Sequence, residues 1–147
     1  MPAYWLVKSE PSVYSFSQLQ KEKRTAWDGV RNYEARNNLR AMRRGDIVLF
    51  YHSNEDKAVV GIARVAKQAY DDAGDETGTW SVVDLSAVGA LKQPITLDQI
   101  REAPALAEIA MLKKNRLSVT PLRAEELAEI LRLGKTKAPG SAKLQES

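Results

Sequence analysis

The stretch Gly45-Asp46-Ile47-Val48-Leu49-Phe50-Tyr51-His52-Ser53-Asn54-Glu55-Asp56-Lys57-Ala58-Val59-Val60-Gly61-Ile62-Ala63-Arg64-Val65 decides the fold. Residues 47–51 are apolar on both alternating sets, which predicts a strand buried on both faces. Asn54-Glu55-Asp56-Lys57 is a polar turn, and residues 59–65 read as the returning strand of a hairpin. Immediately upstream, residues 34–44 carry a helical pattern. Ala35, Leu39 and Met42 fall at i, i+4 and i+7 as one apolar stripe, with Arg36, Arg40 and Arg43 on another face. Gly45 is the expected C′ residue of that helix.

Moving outward, Tyr4-Trp5-Leu6-Val7 is a run of strand formers that ends at Lys8-Ser9-Glu10-Pro11. Ser15-x-x-Gln18 is a capping box opening a short helix to about Lys21. Trp27-Asp28-Gly29 signals a turn with a large ring at its entrance. Downstream, residues 71–78 form an acidic, glycine-containing loop, and Trp80 to Val88 is a strand candidate. Thr96-x-x-Gln99 is a second capping box, and Leu117-Ser118-Val119 a further short strand. Pro121 is expected in the first turn of a last helix, with Ala124, Leu127, Ile130 and Leu131 inward and Gly134 ending it. Short strands interleaved with short helices, without regular βαβ spacing, predict an α+β domain around a small curved sheet or barrel. Residues 1–134 read as one domain. Residues 135–147 have almost no bulky apolar side chains and are expected to be a disordered tail.

The 147 residues suffice to bury a core, and their 44% hydrophobic and 28% charged content is that of a globular chain. No apolar run approaches the roughly 20 residues of a membrane span. No basic and apolar leader opens the sequence, so a cytoplasmic location is expected. With no cysteine, thiolate chemistry and disulfides are excluded. The net charge of +3 suits an anionic partner without requiring one.

Catalytic chemistry finds little footing. His52, the single histidine, has no nucleophile or orienting carboxylate at an informative spacing, and reads more readily as a satisfied strand-end residue. One histidine and no cysteine give no metal set, and the acidic loop lacks the alternation of a calcium loop. Neither phosphate-cradling glycine motif occurs. No catalytic residue, metal or cofactor is expected. The segment from Arg31 to Arg40 interleaves arginines with asparagines and Tyr33, which suits phosphates and stacked bases as well as it suits a solvated helix. Trp5, Trp27 and Trp80 divide between core and site. Trp27 sits at an irregular junction, where its ring can line a cleft.

Five segments, in order, carry a resemblance: Lys8-Ser9-Glu10-Pro11, Trp27-Asp28-Gly29-Val30-Arg31-Asn32-Tyr33, Ala35-Arg36-Asn37, Phe50-Tyr51-His52-Ser53 and Arg116-Leu117-Ser118-Val119. From Tyr4 to about Leu133 the chain resembles the EVE-domain family of the PUA-like superfamily, related to YTH domains. The resemblance implies a pseudo-barrel of about five to six mostly antiparallel strands flanked by short helices. It also implies a non-catalytic domain that holds a modified nucleobase of DNA or RNA in an aromatic pocket, here expected to act as a monomer. A general PUA-like RNA-binding module without modification preference is the alternative. Carried over by motif, Lys8, Ser9, Glu10, Trp27, Asp28, Arg31, Asn32, His52, Ser53, Trp80, Arg116 and Ser118 form the base pocket. Arg36, Arg40, Lys113 and Lys114 are the expected phosphate contacts. One segment departs from the pattern: Tyr70-Asp71-Asp72-Ala73 stands where family members carry Tyr-Pro-Asp-Pro. That leaves Trp80 open between the pocket and the first position of a strand.

Overall fold

The computed structural model describes residues 3–139. Six strands form one sheet in the order β2-β5-β4-β3-β1-β6. They are β1 (Tyr4–Ser9), β2 (Arg24–Trp27), β3 (Ile47–His52), β4 (Ala58–Asp71), β5 (Ser81–Thr96) and β6 (Val119–Leu122). Every pairing is antiparallel except β1 with β3. The architecture is therefore the expected α+β sheet, open rather than hydrogen-bonded into a closed barrel.

All six residues of β3 are buried, because helices cover both faces of the sheet. Ile47, Leu49 and Tyr51 enter one apolar cluster with Ile100, Leu106, Met111, Leu127 and Ile130. Val48 and Phe50 enter the other with Phe16, Leu19, Ala35 and Leu39. The first face carries α3 (Leu97–Glu102), α4 (Ala110–Lys113) and α5 (Ala124–Leu133), and the second carries α1 (Phe16–Glu22) and α2 (Tyr33–Ala41). The doubly apolar alternation, read in the sequence as burial on both faces, thus feeds two cores.

The β3–β4 hairpin forms as expected, but β4 and β5 run to 14 and 16 residues. Register shifts interrupt their pairing at four places, including Val59/Gly61 and Val65/Lys67. Each bulge bends the pair and increases its twist, so the sheet curls and its two ends approach one another.

The helix signals hold with corrections. Ser15 accepts from Gln18 N at 3.1 Å, whereas the Gln18 amide turns to Glu22, so only half of that capping box forms. At Thr96 both halves are present. The stripe of Ala35, Leu39 and Met42 is buried, but α2 stops at Ala41. Gly45, at φ +95°, serves the turn into β3 rather than a helix cap. Pro121 is not helical. It lies in β6 opposite Trp5, on an edge strand where a missing N–H breaks no ladder. In α5, Leu127, Ile130 and Leu131 face inward while Ala124 is exposed. Of the expected disordered tail, residues 135–139 are placed: Thr136 Oγ1 accepts from Lys92 N and Pro139 is buried. The remainder, 140–147, lies outside the described residues.

Candidate functional site

The curl brings the end of β1, the end of β2 and the residue before β6 around one open cleft of about 710 Å³. Its lining includes Lys8, Ser9, Glu10, Trp27, Asp28, Arg31 and Ser118 from the expected set. It also includes Val13, Tyr14, Thr25, Ala26, Gly29 and Val30, which sequence reasoning did not single out.

One wall is the turn after β1. Glu10 carbonyl accepts from both Val13 N and Tyr14 N at 2.9 Å, and Ser9 Oγ donates to the Tyr14 carbonyl at 2.6 Å. The Tyr14 hydroxyl donates to Glu22 on α1 at 2.6 Å. Burial, and then this carboxylate, raises the Tyr14 phenol pKa. The turn leaves Val13 77% exposed at the rim.

The opposite wall is Trp27, the last residue of β2. Its ring meets Phe50 edge-on at 5.5 Å and Tyr14 at 6.1 Å, with interplanar angles of 84° and 82°. Trp27 is only half-buried, so one edge is fixed in the core while the rest borders the cleft. Lys8 borders the cleft from β1. Its ammonium donates to the Asn115 carbonyl at 3.0 Å, and burial lowers its pKa.

The rim beyond Trp27 is tied down by Asp72, a buried residue of the acidic loop. Its Oδ1 accepts from Gly74 N at 2.9 Å, and its Oδ2 from Gly29 N at 3.2 Å and Arg31 Nη1 at 3.1 Å. The Gly74 amide first, then Arg31 and Gly29, hold this carboxyl below the usual range. Farther along the loop, Asp75 accepts from Thr77 and from Trp80 N, bringing its pKa to about 2.

The remaining expected pocket residues lie elsewhere. His52 is buried and does not line the cleft. Its Nε2 accepts from Phe16 N at 3.0 Å and its Nδ1 donates to Asp56 at 2.7 Å, so the histidine anchors the start of α1. Asn32 caps α2 by accepting from Ala35 N at 2.9 Å. Ser53 lines a second cavity, and Arg116 lines neither. Trp80 belongs neither to the core nor to the cleft wall. It stacks on Tyr33 at 5.0 Å, with Arg31 over its own ring at 5.5 Å and Arg36 over Tyr33 at 5.0 Å.

The four expected phosphate contacts all have partners within the protein. Arg36 and Arg40 donate to the Thr79 carbonyl, while Lys113 pairs with Glu108 and Lys114 with Glu34. Such exposed pairs are weak enough to exchange for a phosphate. In the resting chain, however, the two arginines hold the acidic loop.

A curled, mostly antiparallel α+β sheet with an aromatic-edged cleft at its approaching ends defines the class of protein. The chain belongs to the EVE domain family, whose model matches residues 3–133. Rat thymocyte nuclear protein 1 is 35% identical over 164 residues, covering 88% of this chain and 73% of that protein. A Rhodopseudomonas palustris protein solved by NMR is 47% identical, with a TM-score of 0.87 over 90% of this chain and 93% of that one. The crystal structure of human THYN1 protein in complex with 5-methylcytosine-containing DNA is 32% identical. Its TM-score is 0.83 over 92% of this chain and 99% of that one. The vertebrate relatives are named as nuclear proteins, which lends no support to the expected cytoplasmic location. Among the described residues, no helix is long and apolar enough to cross a membrane.

Proposed function

We propose that this chain is a non-catalytic reader of nucleic acid that holds a single 5-methylcytosine of DNA in the Trp27 cleft. The observation that carries the reading is the likeness of the whole chain to a relative solved with such DNA, with a cleft in this chain large enough for a base. The likeness to the 5-methylcytosine complex spans 92% of the chain, and the same chain places a tryptophan ring beside a 710 Å³ opening.

The physics suits a base. One flat face rests on an aromatic ring, worth roughly 1–3 kcal/mol per stacked base. The polar edge meets Ser9, Ser118 and the carboxylates Glu10 and Asp28 at the rim. The exposed Val13 and the Tyr14 ring offer apolar surface to a methyl group, whose burial contributes about 0.8 kcal/mol, or roughly fourfold in affinity. The methyl group therefore tunes a preference whose main energy comes from stacking and edge hydrogen bonds. A hydrolytic role has less support, since His52 is committed to Phe16 and Asp56 and Ser9 Oγ donates to a carbonyl. An RNA module indifferent to modification gains no observation of its own.

The test is fluorescence-anisotropy titration with two short DNA strands that differ only in one 5-methyl group, at two salt concentrations. The reader binds the methylated strand several-fold more tightly at both. Equal affinities for the two strands would refute it.

A further inference from the structure

On the other face of the sheet from the cleft, a second cavity of about 300 Å³ opens beside the end of β1. Its lining carries three cationic side chains, Lys8, Lys57 and Arg101, and no carboxylate. Lys8 borders both cavities. Successive residues of a strand face opposite sides of its sheet, so Lys8 falls on the face of Leu6 and Ser9 on that of Val7.

The cavity is built with unused donors. Tyr51 is 4% exposed and lines it, yet its hydroxyl has no hydrogen-bond partner among the described residues. The hydroxyl belongs to a residue that lines the cavity, so it is a donor that a ligand there can use. Burial raises the Tyr51 pKa while Arg101 lowers it, so the guanidinium lies within electrostatic reach of the phenol. Arg101 itself has only Asp98, 3.9 Å away and exposed, as a neighbouring charge. Lys57 makes no ion pair among the described residues, and its backbone adopts φ +48°, a conformation unusual for a residue with a long side chain. The Lys8 ammonium spends one of its three donors on the Asn115 carbonyl. These groups line one cavity, and their positive charge and hydroxyl donor suit a tetrahedral oxyanion.

We infer that this second cavity is a phosphate subsite, taking a backbone phosphate of the same strand whose base enters the Trp27 cleft. The inference rests on the reader proposed above and gives that reader its electrostatic anchor. It differs from the expectation that Arg36, Arg40, Lys113 and Lys114 provide the phosphate contacts, since those four are engaged within the protein. Lys57 makes no ion pair among the described residues, and Arg101 has only the long 3.9 Å pair with exposed Asp98.

Anisotropy titrations of the full chain with the methylated strand and its unmethylated twin, over a range of salt, test it in wild type, Arg101→Gln and Tyr51→Phe. The subsite predicts that Arg101→Gln weakens both strands alike, by about tenfold, and reduces the salt slope by about one. Tyr51→Phe keeps every charge and weakens both by about fivefold, the value of one hydrogen bond. Melting temperatures of the two variants report whether the fold is intact, and competition by inorganic phosphate in wild type reports the anion alone. Wild-type affinity and salt slope in both variants would overturn the subsite. If inorganic phosphate binds wild type but not Tyr51→Phe while strand affinities stay unchanged, the cavity serves free phosphate, and the assignment to the strand is wrong. Absence of any methyl preference in wild type sinks the reader only. The variant effects decide the subsite separately.

Discussion

Asp72→Asn keeps the size of the side chain and removes its charge, which isolates what the loop carboxylate does for the cleft. Asp72 is 7% exposed, and its two oxygens accept from Gly74 N, Gly29 N and Arg31 Nη1. Asparagine retains one acceptor. With that oxygen on Gly74, its amide group faces two donors, so the Gly29 and Arg31 bonds are lost. The backbone bond is worth about 1 kcal/mol. The pair with Arg31, whose side chain is 44% exposed, is worth roughly 1 kcal/mol after solvent screening. A total of about 2 kcal/mol lowers Tm by roughly 4–8 °C in a domain of this size. The pH dependence follows from the direction of the shift. The folded carboxyl titrates below its usual value of 3.8, so its contribution is complete above that value and is lost as pH falls through the lower, folded pKa. Thermal unfolding followed by circular dichroism at a series of pH values should therefore show a gap between wild type and variant at neutral pH that closes below the ordinary carboxylate range. The same variant loosens Gly29 and Arg31 at the rim and weakens binding of the methylated strand. Asp71→Asn, an exposed neighbour, is the control. A neutral-pH Tm within about 1 °C of wild type, or a gap that widens on acidification, would show that the ionised Asp72 does not hold the rim.

Gly61→Ala places a Cβ 2.4 Å from two carbons of the Phe16 ring, which is 3% exposed and packed on Phe50. Overpacking of this kind costs about 1–3 kcal/mol and should lower Tm by roughly 2–12 °C, with partial recovery when Phe16→Leu is added. His52→Phe leaves the buried Phe16 N–H without an acceptor, at a cost of about 1–3 kcal/mol. Chemical denaturation should register that loss, while the methylated-to-unmethylated affinity ratio stays at the wild-type value because His52 does not line the cleft. A changed ratio at preserved stability would return His52 to the site.

Where the sequence was legible, one local signal agreed with its tertiary surroundings. The double-faced apolar run of β3, the Thr96 capping box and the α2 stripe each needed only neighbouring residues to be read. β2 was missed because Arg24–Trp27 is an edge strand with alternating exposed and half-buried positions and no apolar period. Pro121 was misassigned because proline suits both a first helical turn and an edge strand, and only the pairing of β6 with β1 decides between them. Of the cleft, the wall residues Lys8, Ser9, Glu10, Trp27 and Asp28 were recognisable from their motifs. Val13 and Tyr14 were not, since the turn that presents them is made by backbone bonds to Glu10 rather than by any side-chain pattern. His52 shares a motif with Ser53, yet strand alternation sends it to the core edge, where Phe16 and Asp56 occupy both ring nitrogens.

In the proposed complex the base rests against Trp27. The most direct test is the ratio of affinities for the methylated and unmethylated strands in wild type, Trp27→Phe and Trp27→Ala, each checked for cooperative unfolding. Wild type should prefer the methylated strand, and Trp27→Phe should keep part of this preference. Trp27→Ala, still folded, should lose roughly 5- to 150-fold in affinity, the worth of one stacked base, together with the preference. A folded Trp27→Ala that binds and discriminates as wild type does would place the base somewhere other than this cleft.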